Sequence, residues 1–181
     1  MGLPGSPQTV QRLVDEHYVA LYRYAYRLSG SAADAEDLTQ EAFCTAQLNF
    51  RQLRDPNRAK PWLFAILRRS FLKRLRDEKT CVSLDGLGDL PEPLPEALPE
   101  IDPEQLQQAL NDLPEDFRNP IILYYFEDFS YREIAEQMDL PIGTVMSRLA
   151  RAKGYLRNRL VPGCDAVAAN GHTRRATDGL Q

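Results

Sequence analysis

The 181-residue chain has no apolar run approaching the length of a membrane span. Its opening, Met1–Gln11, combines no basic start with an apolar block of signal-peptide type, so a cytoplasmic address is expected. Cysteine is scarce: Cys44, Cys81 and Cys164 lie far apart without CxxC spacing, which argues against a zinc ribbon or a disulfide framework and leaves bland thiols as the simpler reading. The two histidines, His17 and His172, stand alone and read as structural or solvated. No paired-carboxylate, His/Cys or glycine-rich constellation has catalytic spacing, so no catalytic residue, metal site, cofactor or small-molecule substrate is expected.

What is present is helical periodicity, with 43% apolar residues to fill a core. The net charge of −4 argues mildly against a nucleic-acid binder, but the distribution of that charge argues for one. Eight cations between Arg58 and Lys79 face only Asp77 and Glu78, all charges from Arg148 to Arg159 are positive, and Asp85 to Glu104 carries only acids. Segregation of this kind suggests basic surfaces for a polyanion with an acidic strap between them.

The most informative stretch is Ser130–Leu160. Ser130 and Glu133 have capping-box spacing and open a short helix with Ile134, Ala135 and Met138 on its apolar face. Asp139-Leu140-Pro141 stops it, with Pro141 suited to the first turn of the next helix. There Ile142, Val145, Leu149, Ala152 and Leu156 form one stripe, while Thr144, Ser147, Arg148 and Arg151 form another. Hydroxyls and guanidiniums without an acid suit phosphate oxygens and the acceptor edge of guanine, the layout of a helix-turn-helix DNA reader. A helical hairpin with a solvated basic face is the plainer reading.

Upstream, Val10 to Leu28 gives a long helical stripe ended by Ser29-Gly30, and Ser31 caps a second helix, Ala32 to about Leu48. Ala35, Leu38, Ala42 and Ala46 form its buried side, leaving Asp34, Glu36, Asp37, Gln40 and Glu41 as an acidic face favoured by the helix dipole. That face is either a solvated surface or a dock for a basic helix. Asn49–Lys60 reads as a loop, with Pro61 as the first residue of a third helix. Cations interleaved with Trp62, Phe64 and Phe71 suit melting DNA, although Trp62 serves equally as a core anchor. Cys81–Ile101, rich in proline and acids, reads as an extended linker. Asp102-Pro103 caps Glu104–Leu113, Pro114 opens another turn, and Asn119-Pro120 is expected to cap and start a further helix. The segment after Leu160 is small and polar, and disorder is expected.

Four collinear segments now carry a resemblance: DAEDLTQEAF (Asp34–Phe43), KPWLFAILRR (Lys60–Arg69), LPEDFRNPIILYYFEDFSYREIAEQM (Leu113–Met138) and LPIGTVMSRLARAK (Leu140–Lys153). In order and spacing they resemble the extracytoplasmic-function (group IV) sigma factors of the sigma-70 family, over about residues 8 to 160. The resemblance implies an all-α fold of two small helical domains. Residues 8–79 would form region 2, 80–101 a linker through the polymerase channels, 102–160 region 4 and 161–181 a tail.

It also implies an initiation factor that binds core RNA polymerase through the large-subunit clamp helices and the flap, and that directs promoter recognition and opening. Asp34, Asp37, Gln40, Glu41 and Phe43 would face the polymerase. Arg51, Arg54, Asn57, Trp62, Arg68, Arg69 and Lys73 would capture the minus-ten strand, the loop Arg51–Asn57 supplying a pocket for a flipped base. Ser130, Tyr131, Arg132, Thr144, Ser147, Arg148 and Arg151 would read the minus-thirty-five duplex, and Met146 stands where the family often carries a basic residue. Partners implied are core polymerase, promoter DNA and an anti-sigma factor, with association to the nucleoid or tethering at the membrane through that factor. A stand-alone helix-turn-helix regulator accounts for Ser130–Leu160 but leaves the acidic face and the basic third helix unexplained.

Overall fold

The computed structural model describes residues 7–77 and 101–161. Apart from Ile101 and Val161, the expected linker and tail lie outside the described residues, as do Cys81, Cys164 and His172. The elements are α1 (Pro7–Ser29), α2 (Ala32–Leu48), α3 (Ala59–Asp77), α4 (Pro103–Asn111), α5 (Glu115–Tyr125), α6 (Tyr131–Met138) and α7 (Ile142–Leu160). Among the described residues there is no strand, which agrees with the all-α expectation.

Helices α1 to α3 pack on one another, as do α4 to α7. In α1, Leu21, Tyr24, Ala25 and Leu28 recur at three- and four-residue steps and lose all exposure. Gly30 (φ 72°) ends the helix in the left-handed region, its N–H donating to Tyr26 O at 2.8 Å. Helix α2 begins at Ser31, whose hydroxyl accepts from Asp34 N. It buries Ala35, Leu38, Ala42 and Ala46 as expected, together with Thr39 and Phe43.

Several boundaries differ from those the sequence suggests. Asn49–Lys60 is not irregular throughout: Phe50–Gln52 and Pro56–Arg58 are 3-10 turns, the second capped by the Asp55 carboxylate on Asn57 N. Helix α3 begins at Ala59, so Pro61 is its third residue, still within the first turn where no backbone donor is missed. Asn119-Pro120 does not cap or start a helix. Pro120 lies inside α5, which starts after Pro114, and the Asn119 side chain is turned into the core instead of back to the backbone. Pro141 is the N-cap of α7 rather than its first residue, its carbonyl accepting from Thr144 N and Val145 N.

Between α6 and α7 the chain reverses at Asp139 (φ 54°). The capping box is complete, Ser130 Oγ accepting from Glu133 N while Glu133 Oε2 accepts from Ser130 N at 2.9 Å. Ile134, Ala135 and Met138 of α6 meet Val145, Leu149 and Ala152 of α7 in the core, as the spacing predicts. Ile142, assigned to the same stripe, is 44% exposed because it sits at the open first turn.

The two halves share one core. Helix α1 packs against α4 and α5 as well as α2 and α3, and α3 touches α6. Phe64 of α3 is fully buried between Tyr24 (ring centroids 4.8 Å) and Phe129 (5.2 Å), the latter from the α5–α6 connection. The Tyr24 hydroxyl donates to Asn119 Oδ1 at 2.6 Å, and Lys60 Nζ donates to Glu127 O at 2.6 Å. The last carbonyls of α1, which a helix end leaves without intrahelical partners, are met from the other half: Gln107 Nε2 donates to Arg27 O (3.2 Å) and Arg118 Nη1 to Leu28 O (2.7 Å).

Glu127 is a buried acid at this seam, 5% exposed. Loss of solvent lifts its carboxyl from the ordinary 4.5 to about 7, against the pull of Lys60, Arg27 and Arg23 and with a small push from Asp128. An acid raised in the folded state holds its proton more tightly there, so its contribution is full below about pH 4.5 and is lost as pH rises through 7. Glu127→Gln is expected to raise the melting temperature at pH 8 by about 3 °C, with the gap closing near pH 5. Thermal unfolding followed by circular dichroism at both pH values checks this, and an equal gain at each would contradict it. Ser130→Ala removes a cap and is expected to cost about 1 kcal/mol in urea unfolding with an unchanged m-value.

Candidate nucleic-acid and polymerase interfaces

Three surfaces emerge. The first is the outer face of α2, where Asp34, Asp37 and Gln40 are exposed. Glu41, expected beside them, is half-buried: it accepts from Ser70 Oγ (2.9 Å) and Arg74 Nη2 (3.2 Å) of α3. Phe43 is 8% exposed and stacks with Tyr18 of α1 at 6.4 Å, so the ring that reaches the surface there is Tyr18, 41% exposed. The sequence conceals this role, because the spacing of Tyr18 assigns it to the α1 core stripe.

The second surface surrounds the start of α3. Arg51, Arg54 and Asn57 are exposed on the turns before it, and Trp62 is half-buried. Leu53, Arg54, Arg58, Pro61, Trp62 and Ala65 form one wall of a cleft of about 330 Å³, whose opposite wall is Glu133, Glu136 and Gln137 of α6. Arg69, Lys73 and Arg76 stand exposed at steps of four and three along the same helix. Phe64 and Phe71, suggested as partners for unstacked bases, are core residues at 0% and 6% exposure, leaving Trp62 as the ring of this helix able to meet a base. Arg68 points inward, its side chain 16% exposed and 3.5 Å from Glu115 of α5. Burial raises the Glu115 carboxyl, Arg68 opposing that shift.

The third surface is the polar side of α7 with the start of α6. Thr144, Ser147, Arg148 and Arg151 share one stripe; Ser147 and Arg151 are exposed, Thr144 and Arg148 half-buried. Ser147 Oγ donates to Thr144 O (3.0 Å), and Arg148 Nη1 donates to Asp116 Oδ1 (2.9 Å). Ser130 is occupied by its cap, its hydroxyl donating to Glu133 Oε2 at 2.7 Å, and those bonds hold the Glu133 carboxyl below its usual range. Arg132 is exposed, and Tyr131 stacks on Tyr124 at 4.8 Å. Met146 projects into solvent at 52% exposure beside this stripe.

Sequence reasoning missed the residues that join the surfaces: Arg118, Asn119, Glu115, Asp116 and Glu136. Their partners lie dozens of positions away, as with Arg118 and Leu28 or Arg58 and Glu136, and no local pattern reports such pairs. Among the described residues no group of three or more His, Cys, Asp or Glu side chains could hold a metal ion, and no helix is long and apolar enough to cross a membrane.

Comparison with known proteins fits this geometry. Residues 13–80 match the family pattern described as sigma-70 region 2, and residues 103–156 match sigma-70, region 4. The chain is 36% identical over 157 residues to the ECF RNA polymerase sigma factor SigE of Mycolicibacterium smegmatis, covering 82% of this chain and 60% of that protein. It is 31% identical over 172 residues to SigW of Bacillus subtilis, covering 86% of this chain and 91% of that one. Among solved structures, the sigma factor RpoE of Bartonella quintana, in complex with the anti-sigma factor NepR, superposes with a TM-score of 0.67 at 28% identity, covering 82% of this chain and 94% of that one. With both family regions in order on one chain, and a relative matched along nearly its whole length, the protein belongs to the extracytoplasmic-function sigma factors of the sigma-70 family.

Proposed function

We propose that the chain converts core RNA polymerase into a promoter-selective enzyme, contributing no catalytic group of its own. The observation that supports this reading best is the separation of three polar surfaces on one chain: acids on α2, cations with Trp62 on α3, and hydroxyls with guanidiniums on α7. A single DNA reader needs only the last. In this reading residues 8–79 form the unit that docks on polymerase and traps the minus-ten strand, residues 102–160 read the minus-thirty-five duplex, and residues 80–101 connect them.

Asp34, Asp37 and Gln40 would meet the basic clamp helices of the polymerase. Arg51, Arg54 and Asn57 would receive an unstacked base beside Trp62, with Arg69 and Lys73 on the backbone. Arg151 and Arg148 would reach base edges or phosphates from α7, and Tyr131 and Arg132 would fix its register. Each DNA-binding face is small, so tethering both to polymerase makes the second contact effectively intramolecular and raises avidity by about a hundred-fold. As RpoE is held by an anti-sigma factor in its solved complex, this chain is proposed to have such a partner, with location following it.

Run-off transcription with core polymerase on a pool of genomic promoter fragments tests the reading. Selective transcripts sharing two spaced upstream boxes are expected; no stimulation, with tight operator binding in the absence of polymerase, would favour a stand-alone regulator. Within that assay Arg151→Ala is expected to weaken promoter use by about 1–3 kcal/mol and to relax selectivity at one base. Lys73→Ala should instead weaken all promoters alike and lower the salt slope of binding by about one.

A further inference from the structure

The N-terminal end of α7 carries two exposed apolar side chains, Ile142 at 44% exposure and Met146 at 52%, and a spacing of four sets them side by side on the helix surface. Exposed apolar residues standing singly are ordinary, but two adjoining ones at the start of a reading helix call for an occupant. Gly143 lies next to both. Its backbone is ordinary helix outside the left-handed region, and a Cβ there would meet nothing within 4 Å among the described residues. Neither conformation nor packing within the chain therefore demands glycine, a poor helix former, at this position; what it provides is close approach from outside. Ser147, one turn on, turns its hydroxyl back to Thr144 O at 3.0 Å. Gly143 is thus the floor of an open notch, with Ile142 and Met146 on one side and Ser147 on the other.

We infer that this notch receives the C5-methyl group of a thymine in the minus-thirty-five duplex, which makes Ile142, Gly143 and Met146 determinants of promoter choice. The inference rests on the promoter-reading role proposed above for α7. A recognition helix sets its N-terminal residues against base edges in the major groove, and the notch occupies that end of α7. Of the groups that bases present in the groove, the thymine methyl is the apolar one. Guanine, adenine and cytosine present N7, O6 or amino groups, which an alkyl chain and a thioether would leave without a partner. The surroundings favour DNA over a protein as occupant. From Gly143 the same outward face continues at steps of four through Ser147 to the exposed Arg151, and all charges from Arg148 to Arg159 are positive, so the notch opens beside a surface suited to a polyanion.

Deoxyuridine differs from thymidine at this edge by the methyl alone, which gives a direct test. Promoter fragments recovered by run-off transcription are remade with each thymine of the upstream box, on either strand, replaced in turn by deoxyuridine, and are transcribed by core polymerase carrying the full chain. One position is expected to lose about four-fold, the effect of one buried methyl-sized group, with the parent and with Met146→Leu. With Met146→Ala that loss should vanish. Met146→Lys should also be indifferent to the methyl, while steepening the salt dependence of promoter binding by about one. A flat scan with the parent would overturn the inference, as would a loss of equal size in parent and Met146→Ala. If Met146→Ala weakens every promoter alike and leaves the scan unchanged, the patch meets a protein instead of a base and the inference falls. The two claims fail separately: no transcripts from any unmodified fragment overturns the promoter role and this inference with it, whereas transcripts with a flat scan overturn the thymine notch alone.

Discussion

The end of α1 is the constraint on which the arrangement depends. A helix leaves its last carbonyls without intrahelical donors, and here Gly30 turns the chain away too sharply for the next residues to supply them all. Gln107 and Arg118 from the second half fill the gap at Arg27 and Leu28, while Arg118 also donates to Asn111 O and Leu113 O of its own half. One guanidinium therefore ties the end of α1 to the connection between α4 and α5. The approach is close enough to explain the residue at the turn: a Cβ at position 30 would lie 2.5 Å from the Asn111 side chain, so glycine answers both the positive φ and the lack of space.

From that tie the packing propagates inward. Tyr24, one turn earlier in α1, is fully buried and directs its hydroxyl at Asn119. Burial raises the phenol far above its ordinary range, so it remains a neutral donor at any working pH. Asn119 in turn shows why Pro120 is tolerated within α5. The proline forfeits one helical hydrogen bond, but the turn before it carries Arg118 and Asn119, whose side chains join the two halves. A local cost is offset by tertiary contacts.

The same contrast separates what is legible in the sequence from what is not. The α6–α7 pair can be read nearly to the residue because its determinants are local: a reciprocal cap at Ser130 and Glu133, a proline at the turn, and apolar steps of three and four. The basic stripe of α3 and the acidic face of α2 are legible for the same reason. Pro120 is misplaced by local rules because its compensation lies 95 positions away from Asn119, at Tyr24. Phe64 and Phe71 look like partners for DNA because composition places aromatics near cations without saying which side of the helix closes on Tyr24 and Phe129. Periodicity puts Arg68 and Glu41 outside, and long-range partners draw them inward.

The outer face of α2 stands apart from the seam between the halves. Helix α2 packs on α1 and α3, and Asp34, Asp37 and Gln40 stay exposed while the halves are closed. The surface proposed for polymerase is therefore available in the packed chain, whereas Arg58, Arg68 and Arg148 hold carboxylates. A partner that engages α2 need not break the seam, because the Arg58–Glu136 and Arg68–Glu115 pairs that cross it lie on other elements, and Arg69, Lys73 and Arg76 of α3 stay exposed beside them.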